Sequence, residues 1–270
     1  MTYHERTGPR YAGMPAIERI AAAVGGDTLR VVSFNIAFSR RIDSALAVLT
    51  ESEQLQEADV VLLQEMDVEG TRRIAGALGM QWVYYPSFVH FRTRRDFGNA
   101  VLSRWPIVED SKIPLPHKSR YARTYRAATA ATIQVNDLPV RVYSAHLSTM
   151  TEIAPSQRRE QLRAILEDAA LHPRVVIGGD LNSGTVARVA LEAGYVWPTE
   201  RGPRTTLIGR WDHVLFRGLH AATEHTGTVM DLRGASDHRP VWAVGVVLPV
   251  DRARAIAGEP VVGASSPDDR

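Results

Sequence analysis

Eight short apolar runs punctuate the chain, at residues 29–34, 60–63, 101–102, 127–135, 140–145, 175–177, 214–216 and 241–248. Runs of this length with this share of β-branched residues read as strands buried in an interior. Helical patterns lie between some of them. Residues 44–56 and 71–78 carry an apolar stripe, and a helix starting at Pro155/Ser156 aligns Leu162, Ile165, Leu166 and Ala169 on one face. A shorter helix over 186–193 is closed by Gly194. Strands and helices alternate early in the chain, whereas the strands around 136–139 meet at a hairpin-like joint. That mixture argues against a pure doubly wound parallel sheet. It favours an α+β fold of two packed mixed sheets with helices outside.

The chain can support such a core. With 270 residues, 44% hydrophobic and 23% charged, it has the composition of a folded protein and not of a disordered one. It has no cysteine, which excludes a disulfide framework, a thiolate zinc site and a cysteine nucleophile. No segment reaches the ~18 consecutive apolar residues of a membrane span. The first 26 residues carry charges and prolines where a signal peptide needs an apolar run, so the expected address is cytoplasmic. One continuous domain over 28–249 is expected. An N-terminal extension, 1–27, with a candidate helix at 17–24, precedes it, and a flexible tail, 250–270, follows. Net charge is +2, and Lys112 and Lys118 are the only lysines. Arginine's planar fork suits phosphate oxygens, but an arginine- and alanine-rich composition also follows from codon bias. So mild a net charge does not by itself predict nucleic-acid binding.

The informative residues stand where the runs stop. Asn35 ends one run, Glu65 another and His146 a third; Asp180 and Asn182 follow Val-Val-Ile-Gly-Gly; Asp212 opens Asp-His-Val-Leu-Phe; and Asp237-His238 precede the last run. A buried strand that stops in a charge must meet water or a partner. Taken singly, each has an ordinary explanation: an Asp or Asn as turn or helix cap, a Glu as a solvated strand end, a His as a satisfied core imidazole. Six strand ends that all carry such groups point instead to one shared site.

Ser-Phe-Asn-Ile (33–36), Leu-Gln-Glu (63–65), Gly-Asn-Ala-Val-Leu-Ser-Arg-Trp-Pro-Ile (98–107) and Ser-Ala-His-Leu (144–147) come first in chain order. Gly-Gly-Asp-Leu-Asn-Ser (178–183), Trp-Asp-His-Val (211–214) and Ser-Asp-His-Arg-Pro-Val (236–241) follow. Together they resemble the successive motifs of the endonuclease/exonuclease/phosphatase superfamily, the DNase I-like metal-dependent phosphoesterases. The resemblance spans about residues 29–247. It implies a four-layer αββα sandwich with a phosphoesterase site on the loops at one edge of the two sheets.

That chemistry needs a divalent cation, an in-line water and groups that neutralise charge on the phosphoryl oxygens. By the resemblance, Glu65 is a metal ligand, and Asn35 and Asp237 complete or orient the metal shell. Hard carboxylate oxygen suits Mg²⁺ or Mn²⁺. Asp180 orients or deprotonates the attacking water, and Asn182 donates to a phosphoryl oxygen. His238 binds the phosphoryl group or accepts a proton, with Asp212 holding its tautomer. His146 binds phosphate or acts as general acid. Asn99 is a site-edge or a structural hydrogen bonder. Ala37 stands where some branches carry an aspartate for a second metal, which favours one tightly held ion.

The expected reaction is hydrolysis of a phosphodiester or phosphomonoester, the partner being a phosphate-ester substrate, with nucleic acid among the candidates. A Ser-Ala-His-Leu string lowers the apurinic-site endonuclease reading. His-Leu-Ser-Thr followed by a Gln/Arg-rich helix is similar to tyrosyl-DNA phosphodiesterase-like and phosphatase-like members. A nuclease or DNA-adduct phosphodiesterase is slightly preferred to a small-molecule or inositol-type phosphatase. A catalytically silent phosphate-binding module is the remaining alternative, disfavoured because Glu65, Asp180, Asn182, Asp212 and His238 are all intact. Outside the motifs, His213 is expected to be structural, since it points to the opposite strand face from Asp212. The basic stretch 92–95, and Arg120, Arg123 and Arg126 with Tyr121 and Tyr125, either line a phosphate-rich groove or form solvated loops.

Overall fold

The structure, a computed structural model, describes residues 1–15 and 27–248. The candidate helix at 17–24 and the tail beyond 250 lie outside the described residues. In chain order the elements are β1 (Tyr11–Gly13), β2 (Thr28–Asn35), α1 (Ile42–Glu51), β3 (Val60–Met66), α2 (Val68–Leu78), β4 (Gln81–Val89), β5 (Asp96–Ser103) and β6 (Ile107–Pro114). There follow β7 (Ala127–Val135), β8 (Leu138–His146), α3 (Pro155–Ala169), β9 (Val175–Asp180), α4 (Arg188–Leu191), a single 3-10 turn (Pro198–Arg201), β10 (Asp212–Arg217), β11 (His220–Thr228) and β12 (Val241–Val246).

The strands form two mixed sheets. The first runs β1-β4-β5-β3-β2-β12-β11 and the second β10-β9-β8-β7-β6. One parallel pair lies inside each, β2 with β3 and β8 with β9; the other pairings are antiparallel. Alternation along the strands creates three apolar layers. Val31, Val60, Leu62, Val140, Val142 and Val176 meet between the sheets. Their neighbours Val32, Phe34, Val61 and Leu63 point outward to Ala45, Val48, Leu49 and Ile74 of α1 and α2. Tyr143, Ala145, Val175 and Ile177 point the other way, to Leu162, Ile165 and Ala169 of α3. The central strands therefore bury both faces, which is why their sequence runs are evenly apolar, and each such Val or Leu contributes roughly 1.5–3 kcal/mol. The result is the four-layer αββα sandwich. Among the described residues no helix is long and apolar enough to cross a membrane.

Local chemistry fixes the helix ends near the site. Asp67 caps α2 by accepting from Gly70 N at 2.7 Å, and Gly79, in the left-handed region, closes it. Pro155 opens α3, with Gln157 Oε1 accepting from Ala154 N at 3.0 Å. The expected helix over 186–193 shortens to the single turn of α4, because Gly194 has φ 79° and the preceding backbone closes into tight turns. Four strands carry no clear apolar run: β1, β4, β6 and β11. Residues of the N-terminal extension also join the first sheet. Tyr3 N donates to Ser87 O at 2.8 Å, Val89 N to Met1 O at 3.0 Å, and β1 pairs with β4.

Candidate functional site

The sheet register assembles half of the site without any loop. Asp180 of β9 lies beside His146 of β8 in the parallel pairing and opposite Asp212 of β10 in the antiparallel one. Gly179 is required for this. Its φ is 154°, and a Cβ there would lie 1.8 Å from Ala145 O, so any side chain would push β8 and β9 apart. The Gly-Gly before Asp180 is thus a packing requirement of the strand that presents it.

Groups at the ends of β2, β8 and β9 and in the loop ahead of β12 meet the Asp180 carboxylate, itself 1% exposed. Oδ1 accepts from Asn182 N at 2.9 Å, and Oδ2 accepts from Asn35 Nδ2 at 3.1 Å. The same Oδ2 faces His146 Nε2 at 3.4 Å and His238 Nε2 at 3.7 Å. Burial pushes the Asp180 carboxyl up and the Asp212 charge adds to the rise, while His238 and Asn182 oppose it. His238 Nδ1 bonds Asp212 Oδ2 at 2.9 Å. Burial alone would lower the His238 pKa, but Asp212, Asp180 and Asp237 outweigh it and raise it to about 10. The Asp212 carboxylate thus favours the protonated form of His238. His146 goes the opposite way: burial, then the charges of Arg126 and His238, hold it well below the ordinary value.

Glu65 comes from the first sheet. Between Leu63 and Met66 the β3–β5 register shifts, and Glu65 takes a left-handed φ of 57°, which turns its side chain towards the cleft. Oε1 accepts from Asn35 Nδ2 at 3.4 Å, whereas the buried Oε2 has no partner. Burial raises its pKa; Arg126, His238 and Asn35 work against that, and Asp237 adds to it. Asp237 itself is exposed, next to Ser236, whose Oγ donates to Asn35 O at 2.7 Å. Asn35 thus brackets Glu65 and Asp180 with its amide NH₂, and its Oδ1 accepts from Ala37 N at 3.0 Å. In this arrangement it orients the carboxylates.

Two groupings could hold a cation. Asp180, Asp212 and His238 place potential ligand atoms within 4.8 Å of one another. Within this cluster His238 Nδ1 and Asp212 Oδ2 already bond one another at 2.9 Å. The orphaned Glu65 oxygen, lining the cleft with Asp237 close by, is the better fit to a hard divalent ion.

The remaining expected residues fall as follows. Asn182 has a left-handed φ of 49°, and its Nδ2 donates to Leu147 O at 2.9 Å, leaving its second amide hydrogen for the cleft. Asn99 joins the two sheets, donating to Ala127 O at 2.6 Å, while its own carbonyl accepts from Thr129 at 2.7 Å. His213 is buried between Trp197 Nε1 and Ser183 O, a structural position. Arg126 turns inward, with Nη1 at 3.1 Å from His146 Nδ1 and Nη2 at 3.1 Å from Glu152 Oε2. Glu152, in the loop after β8, carries no motif that could have revealed it.

Above these groups opens a cleft of about 710 Å³ with an aromatic wall that includes Phe38, Phe88, Phe91, Phe97 and Tyr121. Met1 also lines it. Phe38 is presented by three successive left-handed residues, Ala37, Phe38 and Ser39 at φ 46°, 64° and 51°. Such a backbone costs roughly 1–2 kcal/mol per non-glycine residue. It is held by the Asn35 bond to Ala37 and by Asp67 N donating to Ser39 Oγ at 3.0 Å.

A helix-flanked pair of mixed sheets with carboxylates and imidazoles gathered at one edge is the architecture of the DNase I-like phosphoesterases. The chain belongs to the Endonuclease/Exonuclease/phosphatase family, which it matches over residues 32–238. It is similar to the endonuclease/exonuclease/phosphatase from Beutenbergia cavernae DSM 12333, at 21% identity and a TM-score of 0.67 over 82% of this chain and 72% of that one. D. rerio TDP2, complexed with single strand DNA product, aligns at 18% identity and TM-score 0.65 over 81% and 98% of the two chains. The Bacteroides thetaiotaomicron mannosyl-6-phosphatase aligns at 18% and 0.57 over 80% and 98%. At such identities the likeness is one of fold. No curated protein sequence matches this chain significantly.

Proposed function

We propose that the protein is a divalent-metal-dependent phosphoesterase that hydrolyses its substrate by in-line attack of water, preferring phosphodiesters of the nucleic-acid or DNA-adduct type. The observation that carries the reading is the Asp180 carboxylate, set at the cleft floor with His146 Nε2 at 3.4 Å and His238 Nε2 at 3.7 Å, and raised in pKa by its burial. A carboxylate so raised is a better base towards water than a solvated one. The His238 cation, 3.7 Å from Asp180, offsets negative charge on the phosphoryl oxygens, and Asp212 keeps it protonated and in place. Asn182 has one amide hydrogen to offer the same oxygens. Glu65, with Asn35 and Asp237 around it, would hold Mg²⁺ or Mn²⁺, whose chemistry there is to polarise the phosphoryl group and ease deprotonation of water.

The aromatic wall favours a substrate with ring-bearing groups. Arg40 lies over the Phe38 ring at 4.6 Å and Arg92 over Phe91 at 5.3 Å, while Phe91 and Tyr121 are 68% and 78% exposed. Exposed rings among arginines suit stacked bases along a phosphate backbone. The test is hydrolysis of bis-p-nitrophenyl phosphate and p-nitrophenyl phosphate with Mg²⁺, Mn²⁺ or EDTA, followed by a single-stranded oligonucleotide at rising salt. Metal-dependent release from the diester and a steep loss of oligonucleotide affinity with salt are expected. Release from the monoester alone would replace this reading with a small-molecule phosphatase.

A further inference from the structure

The two histidines beside Asp180 receive opposite partners at the same ring nitrogen. His238 Nδ1 meets a carboxylate oxygen, Asp212 Oδ2, at 2.9 Å. His146 Nδ1 meets a guanidinium nitrogen, Arg126 Nη1, at 3.1 Å. A guanidinium donates only and stays charged in proteins. The lone pair in that contact must therefore come from His146 Nδ1, and the single ring proton sits on Nε2, which points at Asp180 Oδ2 from 3.4 Å.

Arg126 has little freedom to do otherwise. Its side chain is 9% exposed, and its second terminal nitrogen is held by Glu152 Oε2 at 3.1 Å. Glu152 Oε2 is fixed in turn by Thr149 N at 2.9 Å. The guanidinium carbon lies 5.1 Å from the Phe97 ring centre and 5.9 Å from that of Phe88, so packing sets its plane as well.

We propose that Arg126, anchored by Glu152, is a positioning residue that fixes His146 as the neutral Nε2–H tautomer. His146 then offers a fixed, uncharged hydrogen-bond donor beside Asp180. An imidazolium at His146 would set a second cation against the guanidinium in a buried space, so the arrangement removes the general-acid role for this residue. What the Nε2–H serves in turnover rests on the phosphoesterase reading; the tautomer rests only on Arg126.

The test uses the full chain labelled with ¹⁵N-histidine. Long-range ¹H–¹⁵N spectra at neutral pH distinguish the two neutral tautomers and the cation, and His146→Gln assigns the signal. The wild type should show a protonated Nε2 and a bare Nδ1 at His146. Arg126→Gln should shift His146 towards a tautomer mixture or the cation, and Glu152→Gln, a milder change that keeps the guanidinium, should do so partially. In metal-supplemented assays kcat should fall about 10–100-fold in Arg126→Gln with KM little altered, the scale on which losing an outer-shell partner acts at a ligating histidine. Arg126→Lys, which keeps a cationic donor, should restore part of the signature. A His146 protonated on Nδ1 in the wild type, or a signature unchanged in both Arg126→Gln and Glu152→Gln, overturns the proposal. Because the spectra need no turnover, they decide it even if every phosphate ester proves inert.

Discussion

The two sheets contribute unlike halves to the cleft. The second sheet supplies β8, β9 and β10, whose register sets His146, Asp180 and Asp212 side by side. There both ring nitrogens of His146 already face partners, and His238, from the loop ahead of β12 in the first sheet, closes onto Asp212 and Asp180. The first sheet supplies Asn35 and Glu65 from a strand end and a bulge, with left-handed backbone at Glu65 and a buried oxygen left without a donor. In the second-sheet half Asp180 is bonded through both of its oxygens, and Asp212 Oδ1 is buried without a partner. The first-sheet half adds a left-handed Glu65 with an orphaned oxygen in the cleft lining, where a partner from outside the chain can reach it.

Asp180→Asn should break the distinction most visibly. It keeps the shape and removes the base, so kcat should fall on the order of 10²–10⁴-fold, the usual worth of a positioned general base, with the fold intact by circular dichroism. Wild-type-like turnover would place the chemistry elsewhere.

Glu65→Gln addresses the other half. Activity should be lost at ordinary Mg²⁺ or Mn²⁺ and partly regained at high metal. Since burial raises the Glu65 pKa, its ionised form at pH 7 costs stability when no cation is present. In EDTA the variant should therefore melt higher than the wild type, by roughly 2–4 °C for each kcal/mol relieved. The wild type should gain thermal stability on metal addition and the variant should not. Equal metal-induced shifts in both would remove Glu65 from the ligand set.

The third prediction uses pH to test the His238–Asp212 pair, which joins the two halves. His238 is raised from an ordinary 6.5 to about 10, so its interaction with Asp212 stabilises the fold fully below about pH 6.5 and is lost as pH climbs towards 10. Asp212→Asn removes the charge responsible. Urea unfolding at pH 6, 8 and 10 should show a wild-type advantage that shrinks steadily; an advantage independent of pH would mean that the pair acts through packing only.

The smallest effect is expected at the periphery of the first-sheet half. Arg95 pairs with the α2 cap Asp67 at 3.2 Å, yet its side chain is 65% exposed. Arg95→Ala should cost about 0.2–1 kcal/mol by denaturant unfolding. A larger loss would show that the pair helps to hold the strained turn at 37–39.

The same contrast governs what the sequence made legible. The strand ends of the second sheet could be read because Ser-Ala-His, Gly-Gly-Asp and Trp-Asp-His each follow or open an apolar run, and register does the rest. The core strands could be read because both of their faces are buried. β1, β6 and β11 lie at sheet edges, where one side needs no partner, and their sequences carry the charges and polar residues that edges tolerate, such as Glu109 and Asp110 in β6. β4 is interior, but Pro86 at its register shift with β5 interrupts the expected pattern. Arg126 was visible as one of several arginines near tyrosines; only the turn of the chain into β7 separates it from exposed Arg120 and Arg123. Glu152 was illegible, because its role depends on where a loop returns in space.

The N-terminal strand has a practical corollary for anyone who handles the protein. Met1 is bonded through its carbonyl to Val89 and also borders the cleft, so whatever is joined ahead of it begins at the cleft's rim. A purification handle placed there starts within reach of the aromatic wall, and a histidine-rich one brings its own metal ligands. Kinetics and metal titrations from such material would report a competition between the handle and the substrate, and cleaving the handle is the control that separates them.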